Sequence, residues 1–259
     1  DSQNVRTTVE VMNTSNPSAA QKGDIALLEG KVSELDGEED EAIKKWEEAQ
    51  LSPNRLASAR ATILRAELLL KLERTTPAQV IADMERLRYT WRGDELEFNL
   101  LRRLGDLYIR ENAFRRGLTA LKQAATFFRD RSEAPEVTQK MADVFAQLYL
   151  AGKADVMKPV TAIAVYEEFK ELTPAGAKGD EMIRRLADRL AAVDLLDRAA
   201  GLLEGQVRFR LKGPLKASVG AQLAFVRMLG EDYEKAIEAL DQTNEPGQPE
   251  ITVSRRRHL

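Results

Sequence analysis

The sequence predicts an all-α protein, a solenoid of about six antiparallel helix pairs. Three observations lead there. Of its 259 residues, 31% are charged and only 6% aromatic, a mix that favours helices with solvated sides over sheets. Apolar residues recur at three- and four-residue spacing through most of the chain, the mark of one buried helical face. Finally, one pattern, clearest between Phe98 and Arg129, returns at a nearly constant interval.

In that stretch Leu101, Leu104, Leu107 and Tyr108 line a first helix. Gly105 lies within this face, where a residue without bulk lets a second helix come close. Arg110-Glu111-Asn112-Ala113 is the turn, and Phe114, Gly117, Leu118, Leu121 and Ala124 form the face of a second helix. A Leu-Gly pair, a tyrosine three residues after the glycine and a small residue twelve after it, followed by Leu121 and Ala124, resemble the tetratricopeptide repeat. The chain looks like a divergent, bacterial-type member of that family.

Residues 1–18, rich in Thr, Ser and Asn, are either a frayed terminal segment or the remnant of a preceding repeat, with Val5, Val9 and Met12 on one face. The first pair follows. Ala19 to Leu35 carries Ile25, Leu28 and Val32 with Gly30 as the small contact residue; Asp36-Gly37 turns; Glu38 to Leu51 carries Ala42, Trp46 and Ala49. Ser52-Pro53-Asn54 stops it. In the second pair, Arg55 to Tyr89, the first helix has Ile63, Ala66, Leu69 and Leu70. Thr76-Pro77 reads as a cap and a proline at the first helical position, and Ala78, Val80, Ile81 and Met84 continue. Here Ala78 falls twelve after Ala66, but Glu85 occupies a position expected to be small.

Trp91-Arg92-Gly93-Asp94 links to the third pair. The fourth has Met141, Val144, Phe145, Leu148 and Tyr149 in Val137 to Leu150. A long connection, AGKADVMKP, precedes a second helix from Val160 to Leu172 with Ala162, Tyr166 and Phe169. In the fifth, Ile183, Leu186, Ala187 and Leu190 lead to Leu196, Ala199 and Leu203, with the second helix running to about Phe209. The sixth has Leu223, Ala224, Tyr233, Ala236, Ile237 and Leu240. The small residues of the second helices, Ala42, Ala78, Gly117, Ala162, Ala199 and Ala236, lie 36, 39, 45, 37 and 37 apart by subtraction. The array spans residues 19–244. Residues 245–259 are the start of a further repeat, and the start at Asp1 and the abrupt end suggest a piece of a longer protein.

Composition narrows the function. With 39 basic and 42 acidic residues the net charge is −3, whereas gripping a nucleic-acid backbone calls for a basic excess, so no nucleic-acid partner is expected. No apolar run reaches the roughly 18 residues of a membrane span, which argues against direct membrane insertion. There is no cysteine and one histidine, His258, which leaves no Ser-His or Cys-His arrangement and no His/Cys metal site. Catalytic residues, metal ligands and cofactors are therefore all expected to be none, and the chain is not expected to be an enzyme. Arg92-Gly93-Asp94 reads as a turn, and Ala175-Gly176-Ala177 with Gly179 lacks the strand and GK[ST] ending of a phosphate loop. A soluble protein, cytoplasmic or periplasmic, is compatible with all of this, and composition does not specify its oligomeric state.

The tetratricopeptide resemblance implies a right-handed superhelix with first helices lining a concave groove, the family's usual ligand surface. The positions off the packing stripe that would face it are Asn99, Arg102, Asp106 and Ile109 in the third pair. In the fifth they are Glu181, Arg184, Asp188 and Ala191; in the sixth Ala221, Phe225 and Met228. Arg102/Asp106 and Arg184/Asp188 either form exposed i,i+4 pairs worth about 0.2–0.5 kcal/mol or hold acidic groups of a partner. Family members that clamp a terminal carboxylate place asparagine and lysine here; this chain has Asp106 and Asp188, so that activity is not carried over. Phe225 and Met228 are either an apolar anchor or the underside of a next repeat. The expected function is a non-catalytic scaffold that binds a protein or peptide in the groove. The alternative is a structural or regulatory segment of a larger protein, such as an enzyme or envelope assembly factor, whose active part lies elsewhere.

Overall fold

Capping residues set the helix limits in the computed structural model of the protein, which describes Thr7 and residues 16–259. Val5, Val9 and Met12, and with them most of the supposed repeat remnant, lie outside the described residues. The first pair is α1 (Ala19–Asp36) and α2 (Glu39–Gln50), the second α3 (Arg55–Lys71) and α4 (Pro77–Thr90), the third α5 (Glu95–Arg110) and α6 (Phe114–Phe127). The fourth is α7 (Ala134–Leu150) and α8 (Pro159–Phe169), the fifth α9 (Ala177–Ala191) and α10 (Leu196–Phe209), the sixth α11 (Gly213–Leu229) and α12 (Tyr233–Gln242). A last helix, α13 (Glu250–Arg257), follows. Six pairs are thus present, all-helical among the described residues. Short turns join the packed helices of every pair but the fourth and make those pairs antiparallel.

The caps explain the boundaries. Ser18 and Gln21 form a reciprocal capping box at α1. Asn54 accepts from Leu56 N at 3.1 Å at α3, Thr76 caps α4 ahead of Pro77, and Asp94 accepts from Leu96 N at 2.9 Å at α5. Gly37 ends α1 in the left-handed region at φ 80°, where a Cβ would be strained. The expected run to Leu172 is met by α8 to Phe169 followed by a 3₁₀ turn, Lys170–Leu172. Pro174 disfavours helical backbone at the residue before it, and Thr173 is extended.

The chain divides into two units, Asp1–Thr138 and Gln139–Leu259, with the boundary inside α7. In the first unit, packing centres on small residues. A Cβ on Gly30 would stand 2.5 Å from the Trp46 ring, and one on Gly105 2.6 Å from Leu121 Cγ. Glycine is what allows these helices to approach. Trp46 is fully buried, and its indole N–H donates to the Leu27 carbonyl at 3.3 Å. Ala26, Ala42 and Ala49 surround it with Ala61 and Leu68 of α3. The next layer joins Ile63 and Ala66 of α3, Val80 and Met84 of α4, and Leu100, Leu104 and Tyr108 of α5.

The second pair departs from the expected register. Ala78 is exposed, whereas Val80 and Met84 are buried. The connection between α3 and α4 runs through residues 72–76, two longer than the three-residue turn between α5 and α6, so the packing stripe starts two residues later. With Val80 as the contact residue the spacings become 38, 37, 45, 37 and 37. Glu85 then leaves the stripe, and it accepts a hydrogen bond from the Tyr108 hydroxyl at 2.7 Å.

In the second unit α7 and α8 meet through aromatics. Phe145 lies 5.1 Å from Tyr149 and 6.1 Å from Tyr166 between ring centroids, and the Tyr149 hydroxyl donates to the Ala162 carbonyl at 2.7 Å. The long connection is ordered around a 3₁₀ turn, Lys153–Val156. Arg189 of α9 collects the Ala154, Asp155 and Met157 carbonyls there, and Arg185 donates to the Leu150 carbonyl at 2.7 Å. Ala187, Ala199, Ala224 and Ala236 are buried as expected. On α12, however, Tyr233 and Ile237 are 59% and 62% exposed. The helix packs instead through Ala236, Ala239 and the buried Thr243 that follows it.

Two stability measurements test this packing. Gly105→Leu is expected to lower stability by about 1–3 kcal/mol through overpacking against Leu121, read from thermal unfolding followed by circular dichroism. Met84→Ala is expected to cost about 2–5 kcal/mol, and Ala78→Ser less than about 0.5 kcal/mol; the reverse order would return the register to Ala78.

Candidate functional site

First helices of successive pairs lie side by side within each unit, and clefts open between them. In the first unit a small one of about 250 Å³ is lined by Arg60, Ile63 and Leu64 of α3 and Glu95, Leu96, Asn99 and Arg103 of α5. Of its three charged lining residues, Arg103 pairs with Glu67 at 2.7 Å. Burial pushes the Glu67 carboxyl group up, although Arg103 opposes the shift. Asn99 lines this cleft. Arg102 instead lays its guanidinium over the Phe98 ring, 5.4 Å from the centroid, and neither it nor the partly buried Asp106 lines that cleft.

The larger cleft, about 740 Å³, belongs to the second unit. One wall is Arg184 and Asp188 of α9 with Ser218, Gln222 and Phe225 of α11. The other is α13 and its tail, with Ile251, Ser254, Arg255, His258 and Leu259. Three of the anticipated residues, Arg184, Asp188 and Phe225, thus converge there. Phe225 is 50% exposed, an apolar surface flanked by polar groups. Met228 is partly buried and does not line the cleft; Ala221 is fully buried. The groove reading fails at Ala221 because α11 is packed by α10, α12 and α13, which leaves only a narrow open strip.

The charges are also paired differently from the i,i+4 expectation. Arg184 bonds Glu181 at 2.5 Å, and Arg185 bonds the same carboxylate at 2.7 Å. The Arg185 hydrogen bond, aided by the charges of both arginines, pulls the Glu181 carboxyl group down. Asp188 accepts from the Gln222 side chain within the same wall, tying α9 to α11. Partial burial raises the Asp188 carboxyl group, while the Gln222 bond and the Arg184 and Arg255 charges oppose that rise. Ser218 and Gln222 were absent from the sequence reading, and the α13 residues entered it only as the start of a further repeat with the lone His258. Ile251, Arg255 and His258 do share one helical stripe, at i, i+4 and i+7, and that spacing was available in the sequence.

Arg92-Gly93-Asp94 is structural. Asp94 caps α5, Gly93 N donates to the buried Glu97 carboxylate at 2.5 Å, and Arg92 bonds Glu97 at 3.1 Å. Among the described residues no cluster of three or more His, Asp and Glu is placed to hold a metal ion, and no helix is long and apolar enough to cross a membrane.

The helix pairs resemble the tetratricopeptide repeat in the spacing of their small and bulky residues. No family model and no curated protein sequence matches the chain. Among solved structures, it is similar at 14% identity to YrrB, described as a TPR protein with an unusual peptide-binding site, over 96% of this chain and 97% of that one, at a TM-score of 0.34. PilF of Pseudomonas aeruginosa matches at 14% identity over 93% and 98%, with a TM-score of 0.36. The C-terminal part of a TPR repeat-containing protein from Cytophaga hutchinsonii matches at 15% over 97% and 94%, with a TM-score of 0.40. Overlaps this shallow carry no argument about function, and the architecture rests on the chain's own contacts.

Asp188 supplies a test of the cleft's electrostatics. Its folded pKa lies above the unfolded value, so its ionised form weakens the fold at neutral pH, and the loss fades as pH falls through the folded pKa. Asp188→Asn is therefore expected to raise the unfolding temperature at pH 7 and to make no difference well below pH ~3.9, where both states are protonated. Carboxyl ¹³C titration should place Asp188 above the ordinary aspartate range.

Proposed function

We propose that the protein is a non-catalytic scaffold that holds a segment of a partner protein in the cleft between α9, α11 and α13. The observation that carries this reading is the convergence of Arg184, Asp188 and Phe225 in one 740 Å³ cleft. Its volume is within the range of ligand pockets. A half-exposed aromatic beside cations and hydroxyls is also the composition of an interaction hot spot, in which one apolar anchor fills a pocket and polar groups set orientation. A peptide carrying an apolar residue next to a carboxylate fits these groups best: the apolar side chain against Phe225 and Ile251, the carboxylate toward Arg255. Arg255 has no ion-pair partner of its own among the described residues, in contrast to Arg184.

A photoreactive benzoylphenylalanine at position 225 tests the proposal in the source organism's lysate, against the same group at the exposed position 237 of α12, outside the cleft. The expected result is one dominant protein captured at 225 and not at 237. Arg255→Glu should reduce its yield at least about tenfold, the effect of losing one charge-assisted hydrogen bond, and Arg102→Glu should leave it unchanged. Capture only at 237, or capture at 225 indifferent to Arg255→Glu, overturns the cleft as the binding site. Absence of capture at both positions favours a spacer within a larger assembly.

A further inference from the structure

We propose that α13 is a detachable wall of this cleft and that Arg256 is the residue that docks it. The proposal rests on the cleft's being the binding site only for its functional consequence; the docking itself stands on the contacts that follow. Five of the ten residues lining the cleft come from α13 and its tail, so the cleft as a site exists only while α13 is in place. The apolar contribution of α13 is slight: Thr252 is its one buried residue.

What holds α13 is a guanidinium fork. Arg256 Nη1 donates to the Ala217 carbonyl of α11 at 3.1 Å and to the Thr243 hydroxyl oxygen at 3.0 Å, while Nη2 donates to the Leu240 carbonyl of α12. The Thr243 hydroxyl in turn donates to the Ala239 carbonyl at 2.6 Å, and Thr243 is fully buried. A Cβ on Gly220 would collide with the Thr243 side chain, so the glycine keeps open the place from which Thr243 reaches Arg256. A line of contacts therefore runs from Gly220 through Thr243 and Arg256 to α13. The segment joining α12 to α13, Asn244 to Pro249, is mostly exposed, with Gly247 at φ 73°. Its tie to α11 is the Lys216–Glu245 pair at 3.2 Å, which stays when α13 leaves.

The arrangement separates two jobs on adjacent residues. Arg256 faces the fold and is consumed by carbonyl oxygens; Arg255 and Ile251 face the cleft. Undocking therefore withdraws the unpaired cation and one apolar surface together, and the α9–α11 wall keeps Phe225 but has Arg184, already paired with Glu181, as its one lining cation. Linkage follows: a segment that touches both walls favours the docked state, and its apparent affinity falls in proportion to the docked fraction.

The absence of cysteine from the chain gives a direct measurement. Thr252→Cys places a thiol under docked α13, and Ile237→Cys places one in the open; the reaction rate of each with an aromatic disulfide reagent is followed without any ligand. The thiol at position 252 is expected to react at least about tenfold more slowly than the one at position 237, as a group exposed only by local opening does. Adding Arg256→Ala should bring the buried thiol to the rate of the open one, with helicity retained; Arg256→Lys, which keeps the charge but not the fork, should fall between. Gly220→Ala should also speed labelling with Arg256 intact. Slow labelling at position 252 that Arg256→Ala leaves unaffected overturns the proposal. Should Arg256→Ala lose its helicity, Thr243→Val, which removes the hydroxyl while keeping the shape, decides in the same way. Failure to capture a partner at position 225 leaves these rates intact and counts only against the binding reading. Capture at 225 that persists after Arg256→Ala has freed α13 overturns the coupling.

Discussion

Most of the helix pairs depend on a place where almost no side chain stands. Gly105 against Leu121 and Gly30 against Trp46 are the clearest cases, and alanines fill the role at Ala187 and Ala224. One helix contributes absence and the other bulk, and the buried area comes from the bulk. Because a single pair encloses too little apolar surface, the outer face of its second helix must meet the next first helix, and stability becomes a property of neighbours. The same close approach aligns first helices side by side, and the clefts are the spaces between them.

Around these apolar layers, arginine does the joining. Arg210 reaches the buried Asp180 at 2.7 Å and the Pro174 carbonyl at 3.3 Å, Arg227 meets Glu204 at 3.1 Å, and Arg55 reaches the Thr90 carbonyl at 3.0 Å. Many of its acceptors are backbone carbonyls at helix ends, the groups that a helix leaves without internal partners. Arginine suits this because its planar fork can satisfy two or three of them at once. The many charged residues are thus divided between solvated faces and structural ties, and the cleft takes its character from the few that are neither.

The architecture was legible because spacing reports it directly. Ala42, Trp46 and Ala49, or Ala162, Tyr166 and Phe169, can be placed in the core from their intervals alone, and all six are buried. What spacing could not reveal was the length of a turn. The two extra residues between α3 and α4 carry no apolar signal, so the repeat pattern points to Ala78 and is broken at Glu85. Of the residues lining the larger cleft, Arg184, Asp188 and Phe225 were singled out by carrying one set of positions from pair to pair, but their neighbours were not. Arg184 pairs with Glu181, three residues back, and not with Asp188, and Gln222 joins from another helix. The wall formed by α13 was hidden for a different reason: its attachment is a hydrogen-bonded arginine, which a hydrophobic pattern does not register.

The connection between α7 and α8 shows how a repeat protein can accept added chain without losing its rhythm. With Arg189 gathering three of its carbonyls, the segment is fastened to the following pair, and the interval of 45 residues that contains it gives way at once to 37. Val156 stands 88% exposed on this segment. An addition fastened in this way is a graft point: residues at its tip can be exchanged or extended while the layers on either side keep their spacing, so new surface can be gained there without retuning the stack.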